Sequence, residues 1–228
     1  MPTVVITGAA GAIGSVTART FREAGWDLGL IDYGDENQDL LEREFPDAVV
    51  AAADLTRKAD AREAMDAVAS ATGGIGAVLG VAGGFAMQEA EKATEDDYRH
   101  MMDINFRTLF QTARAAIPYL KESRPGLLLG VSAPAAEEGG AEAGLYAASK
   151  AAVSAYLKSL HAELEGDGVR TSRLVPMGVV DTEANRAAMP HADVETWVAP
   201  RELAEGMLHV ATRSRRGHIA ELRVSTAG

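Results

Sequence analysis

Tyr146 and Lys150 stand four residues apart in the sequence. In a helix that spacing puts both side chains on one face, where they can converge on one ligand. A free phenol titrates near pH 10 (roughly), too high for easy proton exchange at neutral pH, and a neighbouring ammonium stabilises its phenolate. The pair can therefore serve as a tuned proton donor. Any helix can also carry Tyr and Lys at this spacing as a packed pair, so the chemistry needs a second signal.

That signal is Thr7-Gly8-Ala9-Ala10-Gly11-Ala12-Ile13-Gly14, set between an apolar run and a helical pattern. Gly8, Gly11 and Gly14, with Ala12 and Ile13 between them, allow a tight turn and close approach of the backbone to a pyrophosphate, whose charge is favoured by the amino end of the next helix. Glycine also serves ordinary strand-to-helix junctions, so the distance to Asp32 matters. Asp32 ends the second apolar run 18 residues after Gly14. There a carboxylate can bond ribose hydroxyls and would repel a 2′-phosphate, which favours NAD(H) over NADP(H). A solvated turn is the plainer reading of Asp32. Asp54 and Leu55 follow the third run and could face the adenine, although Asp54 serves equally well as a helix cap.

The elements that must position these groups alternate along the chain. Short runs at residues 4–7, 28–32, 48–52, 77–81, 127–131, 170–175 and 218–224 are nearly uniformly apolar. Such runs belong to strands covered on both faces, hence to a parallel sheet. Helical patterns at 13–24, 57–71, 95–120 and 146–165 are long enough to cross back over it. The expected fold is α/β: a single-domain, Rossmann-type, doubly wound parallel seven-stranded sheet with helices on both faces, spanning residues 1–228. Residues 134–144 and 182–200 lack a clear element and project from the carboxyl edge, where open α/β sheets bind ligands. The second stretch, about 182–200, is expected to form a substrate lid.

Composition removes several other chemistries. The 228 residues carry a net charge of −11, which would repel a nucleic-acid backbone, and include no cysteine, which removes disulfides, thiol nucleophiles and Cys-ligated metals. His100, His161, His191, His209 and His218 show no metal-ligand spacing, so no metal is expected. The amino terminus lacks a positively charged leader and no apolar stretch approaches membrane-spanning length, which leaves the cytoplasm as the default compartment.

Read in order, further residues complete a pattern: Val81-Ala82-Gly83-Gly84 after the fourth strand, Asn105 in the following helix, Ser132 after the fifth strand, Tyr146-Ala-Ala-Ser-Lys150, and Pro176-Met-Gly178 with Thr182 after the sixth. Over essentially its whole length the chain resembles the short-chain dehydrogenase/reductase family. More locally, residues 11–15, 81–85 and 181–190, with Trp197, resemble the quinonoid dihydropteridine reductases of that family. Ser132 and Asn105 fit the general family pattern, from which the pteridine reductases depart at those stations. Two departures from the common family turn are visible. The middle glycine comes one residue early, and Gly80-Val81 stand where paired asparagines usually brace the fourth turn.

The resemblance implies an NAD(H)-dependent oxidoreductase moving hydride between nicotinamide and a carbonyl or alcohol. Tyr146 would be the general acid or base, with Lys150 bonding the nicotinamide ribose and lowering the phenol's pKa. Ser132 would bond the substrate oxygen, and Asn105 would kink its helix and hold a water leading to Lys150. Ser132 lies fourteen residues before Tyr146, and the usual gap is slightly shorter, at Ala133. Ala82, Gly83, Pro176, Gly178 and Val179 would border the cofactor, with Thr182 bonding the carboxamide. Gly84, Phe85, Met189 and Trp197 would meet the substrate, and Arg186 and His191 any charge on it. Related chains pair through the helices at 95–120 and 146–165, so a homodimer or homotetramer is expected. The partners would be a small carbonyl or quinonoid substrate, with neither nucleic acid nor membrane. Quinonoid dihydropteridine reduction is the alternative activity, and a non-catalytic NAD(H)-binding redox sensor is the alternative class.

Overall fold

In a computed structural model, residues 1–227 are described, apart from the side chain of Arg215; Gly228, the last residue of the expected domain, lies outside them. Seven strands form the sheet: β1 (Thr3–Thr7), β2 (Asp27–Asp32), β3 (Val49–Ala52), β4 (Ala77–Gly80), β5 (Gly126–Val131), β6 (Val169–Pro176) and β7 (Glu221–Val224). Their order is β3-β2-β1-β4-β5-β6-β7, and every neighbouring pair is parallel. The helices are α1 (Ala12–Glu23), α2 (Asp35–Glu44), α3 (Lys58–Thr72), α4 (Glu95–Met102), α5 (Thr108–Ser123), α6 (Ala135–Glu138), α7 (Gly144–Leu164), α8 (Glu183–Ala188) and α9 (Pro200–Ala211).

The uniform apolarity of the strands follows from their two buried faces. Val5, Val78 and Leu128 pack with Met65 and Val68 of α3, Leu120 of α5 and Leu157 of α7. The alternate residues Val4, Ile6, Leu79 and Leu129 pack with Phe21 of α1, Leu41 of α2 and Met207 of α9. Each strand residue points opposite to its neighbour, so the central strands β4 and β5 are apolar on both alternates; β6 departs from the expected apolar run, burying Arg170, Thr171, Ser172 and Arg173, each held by a hydrogen bond. Glycine admits the closest approaches: a Cβ on Gly29 would stand 2.6 Å from a Val68 methyl, and one on Gly80 2.5 Å from a Leu109 methyl.

The strand order reverses between β1 and β4, and the crevice at their carboxyl ends is the ligand position of such sheets. Where one helix over 95–120 is expected, α4 and α5 are joined by a π-helical turn at Asp103–Arg107. A capping box starts α4, with Thr94 accepting from the Asp97 amide and Asp97 accepting from the Thr94 amide. Four helices escape the sequence pattern: α2, with only Leu41 buried, α9, and the short α6 and α8. The 134–144 stretch contains α6, held to the sheet by Glu137, which receives Arg173 at 3.0 Å and Arg223 at 2.7 Å.

Candidate active site

A cleft of about 620 Å³ opens at the carboxyl edge. Its walls come from the turn at Gly8–Gly14, from Asp32 beyond β2, from Asp54 and Leu55 beyond β3, and from Val81–Gly83 beyond β4. Gly8 holds φ +66°, and a Cβ on Gly14 would lie 2.0 Å from the Gly8 carbonyl oxygen. No side chain fits at Gly14, so α1 begins directly on the turn and its amino end faces the cleft. That is a cradle for a pyrophosphate.

Asp32 braces this cradle. One carboxylate oxygen accepts from the Ala10 amide at 2.7 Å, and the other from the Tyr33 amide at 2.7 Å and Asn37 Nδ2 at 3.1 Å. The carboxylate thus sits at the cleft wall as an ordered anion. Asp54 does not cap α3; its Oδ1 closes a short turn by accepting from the Thr56 amide and hydroxyl, at 3.0 Å and 2.6 Å. Among the described residues no Lys or Arg lines the cleft, while Asp32, Asp54 and Asp103 do.

The fourth turn has its own braces in place of the paired asparagines. Thr7 Oγ1 accepts from the Ala82 amide at 3.2 Å. Asn105, buried in the π turn, accepts from the Gly84 amide at 3.1 Å and donates to the Gly84 carbonyl at 3.0 Å and to Ser149 Oγ at 3.1 Å. Asn105 therefore fixes the turn to α7. A Cβ on Gly83 would stand 2.7 Å from Asn105 Oδ1 and 3.2 Å from Lys150 Nζ. Gly83 is the thin wall between the cleft and the lysine.

Lys150 is 6% exposed, and its Nζ donates to the Val131 carbonyl at 3.1 Å. Burial disfavours the ammonium and pulls its pKa down to about 8. Tyr146 lies one turn earlier, with Lys150 Nζ 5.9 Å from its ring centroid. Phe85 packs edge-on against the same ring, centroid to centroid 4.8 Å. Burial pushes the Tyr146 phenol above its ordinary value, opposite in direction to the depression expected from the ammonium. In this arrangement desolvation alone acts on the phenol.

Ser132 corrects the sequence reading. Its side chain is 2% exposed and points into α7, where its Oγ donates to the Lys150 carbonyl at 3.2 Å and lies 2.7 Å from Ser154 Oγ. The cause is register. The Ser132 amide continues the sheet ladder by donating to Leu174 O at 2.8 Å, so its side chain is held on the α7 side. It is not positioned to bond a substrate oxygen.

Around the entrance, Thr182 reaches the cleft and also caps α8, its Oγ1 accepting from the Asn185 amide at 3.1 Å. Pro176 is buried at the end of β6, and Gly178 and Val179 lie exposed just outside the lining. Gly84 packs on Ile104, Phe85 is exposed, and Met189 is exposed after α8. Trp197 is 7% exposed, next to the parallel bridge between Val180 and Val198, and offers little surface to a substrate. Arg186 is not free for substrate charge either: its guanidinium holds both Asp181 carboxylate oxygens, at 2.5 Å and 2.7 Å. His191 is exposed. The sequence reading misses Asn37, Thr56, His100, Asp103 and Thr108 on the cleft wall. Asp103 and Thr108 are five residues apart and share that wall through the π turn, whose period no α-helical pattern contains.

The family model for short chain dehydrogenase matches residues 2–193. An uncharacterised oxidoreductase of Staphylococcus aureus strain N315 is 28% identical over 222 residues, covering 96% of this chain and 95% of that protein. The L-fucose dehydrogenase of Oryctolagus cuniculus is 30% identical over 174 residues, 76% of this chain and 61% of the relative. Among solved structures, an NADH-dependent reductase responsible for alginate metabolism superposes with a TM-score of 0.82 at 26% identity, covering 97% of this chain and 95% of the other. A short chain oxidoreductase of Pseudomonas aeruginosa PAO1, described as containing an atypical catalytic center, shares the fold with a TM-score of 0.88 at 19% identity, covering 98% and 95%. The ordered turn, the buried lysine and the match over most of the chain lead to one assignment: the protein belongs to the short-chain dehydrogenase/reductase family of oxidoreductases.

Proposed function

We propose that the protein is an NAD(H)-dependent reductase of small carbonyl compounds, running in reverse as an alcohol dehydrogenase. The observation that carries this reading is the placement of Lys150 Nζ directly behind Gly83 on the wall of the glycine-turn cleft, with the Tyr146 ring centroid 5.9 Å from that amine. Gly8, Gly11, Ala12, Ile13 and Gly14 would hold the pyrophosphate, Asp32 the adenosine ribose, Asp54 and Leu55 the adenine, and Ala82, Gly83 and Thr182 the nicotinamide end. NADH, when bound, supplies hydride. Tyr146 gives its proton to the substrate oxygen, and Lys150 holds the ribose and offsets the phenolate charge left behind. The lid at 182–200 excludes water and positions the substrate against Phe85 and Met189.

NADH is favoured over NADPH because the cleft wall carries Asp32, Asp54 and Asp103 and no described cation to receive a 2′-phosphate. Assembly as a homodimer or homotetramer, in the cytoplasm, belongs to the same proposal. Phe106 of the π turn, Phe110 of α5 and Tyr156 of α7 form a half-buried cluster, with ring centroids 5.7–6.4 Å apart, as a face that a second copy would cover.

A second reading, quinonoid dihydropteridine reduction, gains from one observation. Ser132, which argued for the general pattern, turns away from the substrate side and leaves Ala133 at the next position. A screen of NADH and NADPH oxidation with simple ketones, aldehydes, quinones and quinonoid dihydropterin separates the readings, and turnover of none of them would point to the redox sensor. Tyr146→Phe is expected to bind NADH normally and to lose turnover at least about a hundredfold. Unchanged turnover would remove Tyr146 from the mechanism.

A further inference from the structure

Lys150 is gripped from two directions by two consecutive residues at the end of β5. Its amine donates to the Val131 carbonyl at 3.1 Å, and its own carbonyl receives the Ser132 hydroxyl at 3.2 Å. A single hydroxyl has one proton, so with Ser132 donating to Lys150, the 2.7 Å contact to Ser154 must be a donation from Ser154 to Ser132. Ser154, Ser132 and Lys150 thus form a directed chain, in which Ser154 and Ser132 are 6% and 2% exposed. Ser154 lies four residues beyond Lys150, so its amide bonds the same Lys150 carbonyl within the α7 ladder, and that carbonyl takes two donors. Lysine has four soft torsions, and among the described residues its amine holds one hydrogen bond, to a fixed carbonyl, so the placement of Nζ beside Gly83 depends on where the backbone of residue 150 is fixed.

We propose that Ser132 and Ser154 are a positioning pair for Lys150: they lock its backbone against the end of β5 and so set the height of the amine behind Gly83, and neither touches substrate. This rests on the proposed role of Lys150 toward the cofactor, and it reassigns Ser132, the residue that the sequence pattern presents as a substrate donor. Because Ser154 acts only by orienting the Ser132 hydroxyl, and Ser132 alone reaches the Lys150 carbonyl, losing both hydroxyls costs no more than losing that of Ser132.

The test needs no substrate. NADH binding is followed by nicotinamide fluorescence from about pH 6 to about pH 10, a range that spans the ordinary lysine and tyrosine responses to burial. Wild type is compared with Ser132→Ala, Ser154→Ala, the double variant and Ser154→Thr, and thermal midpoints check that each is folded. The expected result is a roughly three- to tenfold weaker NADH affinity in either alanine variant, the scale of one buried hydrogen bond. Both should displace the pH inflection in the same direction, the double variant should be no worse than Ser132→Ala, and threonine should restore the wild-type curve. An unmoved affinity and inflection in folded Ser132→Ala would overturn the proposal. So would an additive double variant, or a large turnover loss in Ser132→Ala with Ser154→Ala at wild-type rate, which would return Ser132 to the substrate. Failure of the wild type to bind NADH at all would instead defeat the proposed function.

Discussion

Lys150 and Arg170 are both buried cations held by backbone carbonyls, and they sit at opposite edges of the sheet. Lys150, beside the carboxyl ends of the strands, has one such bond, to Val131. Arg170, at the start of β6, donates to the Val210 and Ala211 carbonyls at 3.0 Å and 3.1 Å and so caps the carboxyl end of α9. Burial lowers the pKa of both, but with different results. A guanidinium starts so high that it stays charged, and two of its nitrogens stay committed to α9 while the buried Nε has no partner among the described residues, whereas an ammonium brought to about 8 can exchange its proton. One edge commits its cation to a helix terminus, and the other holds a proton-exchanging amine beside the cleft.

The sharpest way to break this contrast is Lys150→Met. We expect turnover to fall by more than about a hundredfold and NADH affinity to drop with it, while unfolding stability stays level or rises, because an unpaired buried charge has been replaced by an apolar chain. A large stability loss in urea titration would make Lys150 a structural residue like its counterpart. Arg170→Met should do the reverse. It loses two charge-assisted bonds and strands two helix-terminal carbonyls, a cost of about 2–4 kcal/mol in urea unfolding, with NADH affinity unchanged.

The pH dependence of stability sharpens the same point. A lysine whose folded pKa is depressed penalises the folded state fully below that value, and the penalty fades as pH rises from about 8 toward the unfolded 10.5. Tyr119, Tyr146 and Tyr156 are raised and titrate with the opposite sign, so the useful quantity is the difference between wild type and Lys150→Met. That difference should shrink across this window by up to roughly 3 kcal/mol. A difference independent of pH would mean that Lys150 is not depressed. The smallest effect is expected at His218, which stacks on His161 with centroids 4.7 Å apart. Burial, then His161 and Arg170, lower its pKa, so wild-type stability should fall as pH drops below about 6.5, and His218→Phe should flatten that limb. An identical acid limb in the variant would clear His218 of any part in it.

Much of the carboxyl edge was legible before the fold was known, because glycine spacing and the Tyr146–Lys150 interval are local facts that a turn and a helix convert directly into geometry. The core was legible for the same reason: strands with two buried faces leave uniform apolar runs. What escaped depends on phase and on distant partners. Ser132 and Ala133 differ by one residue, and which of them faces the substrate is set by a ladder bond to Leu174 on another strand. Trp197 reads as a lid aromatic yet is buried next to the Val180–Val198 bridge, and Arg186 reads as a free charge until Asp181 claims it. Helix α2 hides because its one fully buried residue, Leu41, gives no apolar stripe.

The π turn at Asp103–Arg107 makes this chain sensitive to its length as well as to its composition. Removing any one residue there would let α4 and α5 run on as a regular helix, advancing everything upstream by about 100° around the axis. Asn105 could then no longer grasp Gly84 and Ser149 together. Single-residue gaps, which surface loops absorb readily, should therefore be selected against in this interior helix even where every individual substitution is accepted.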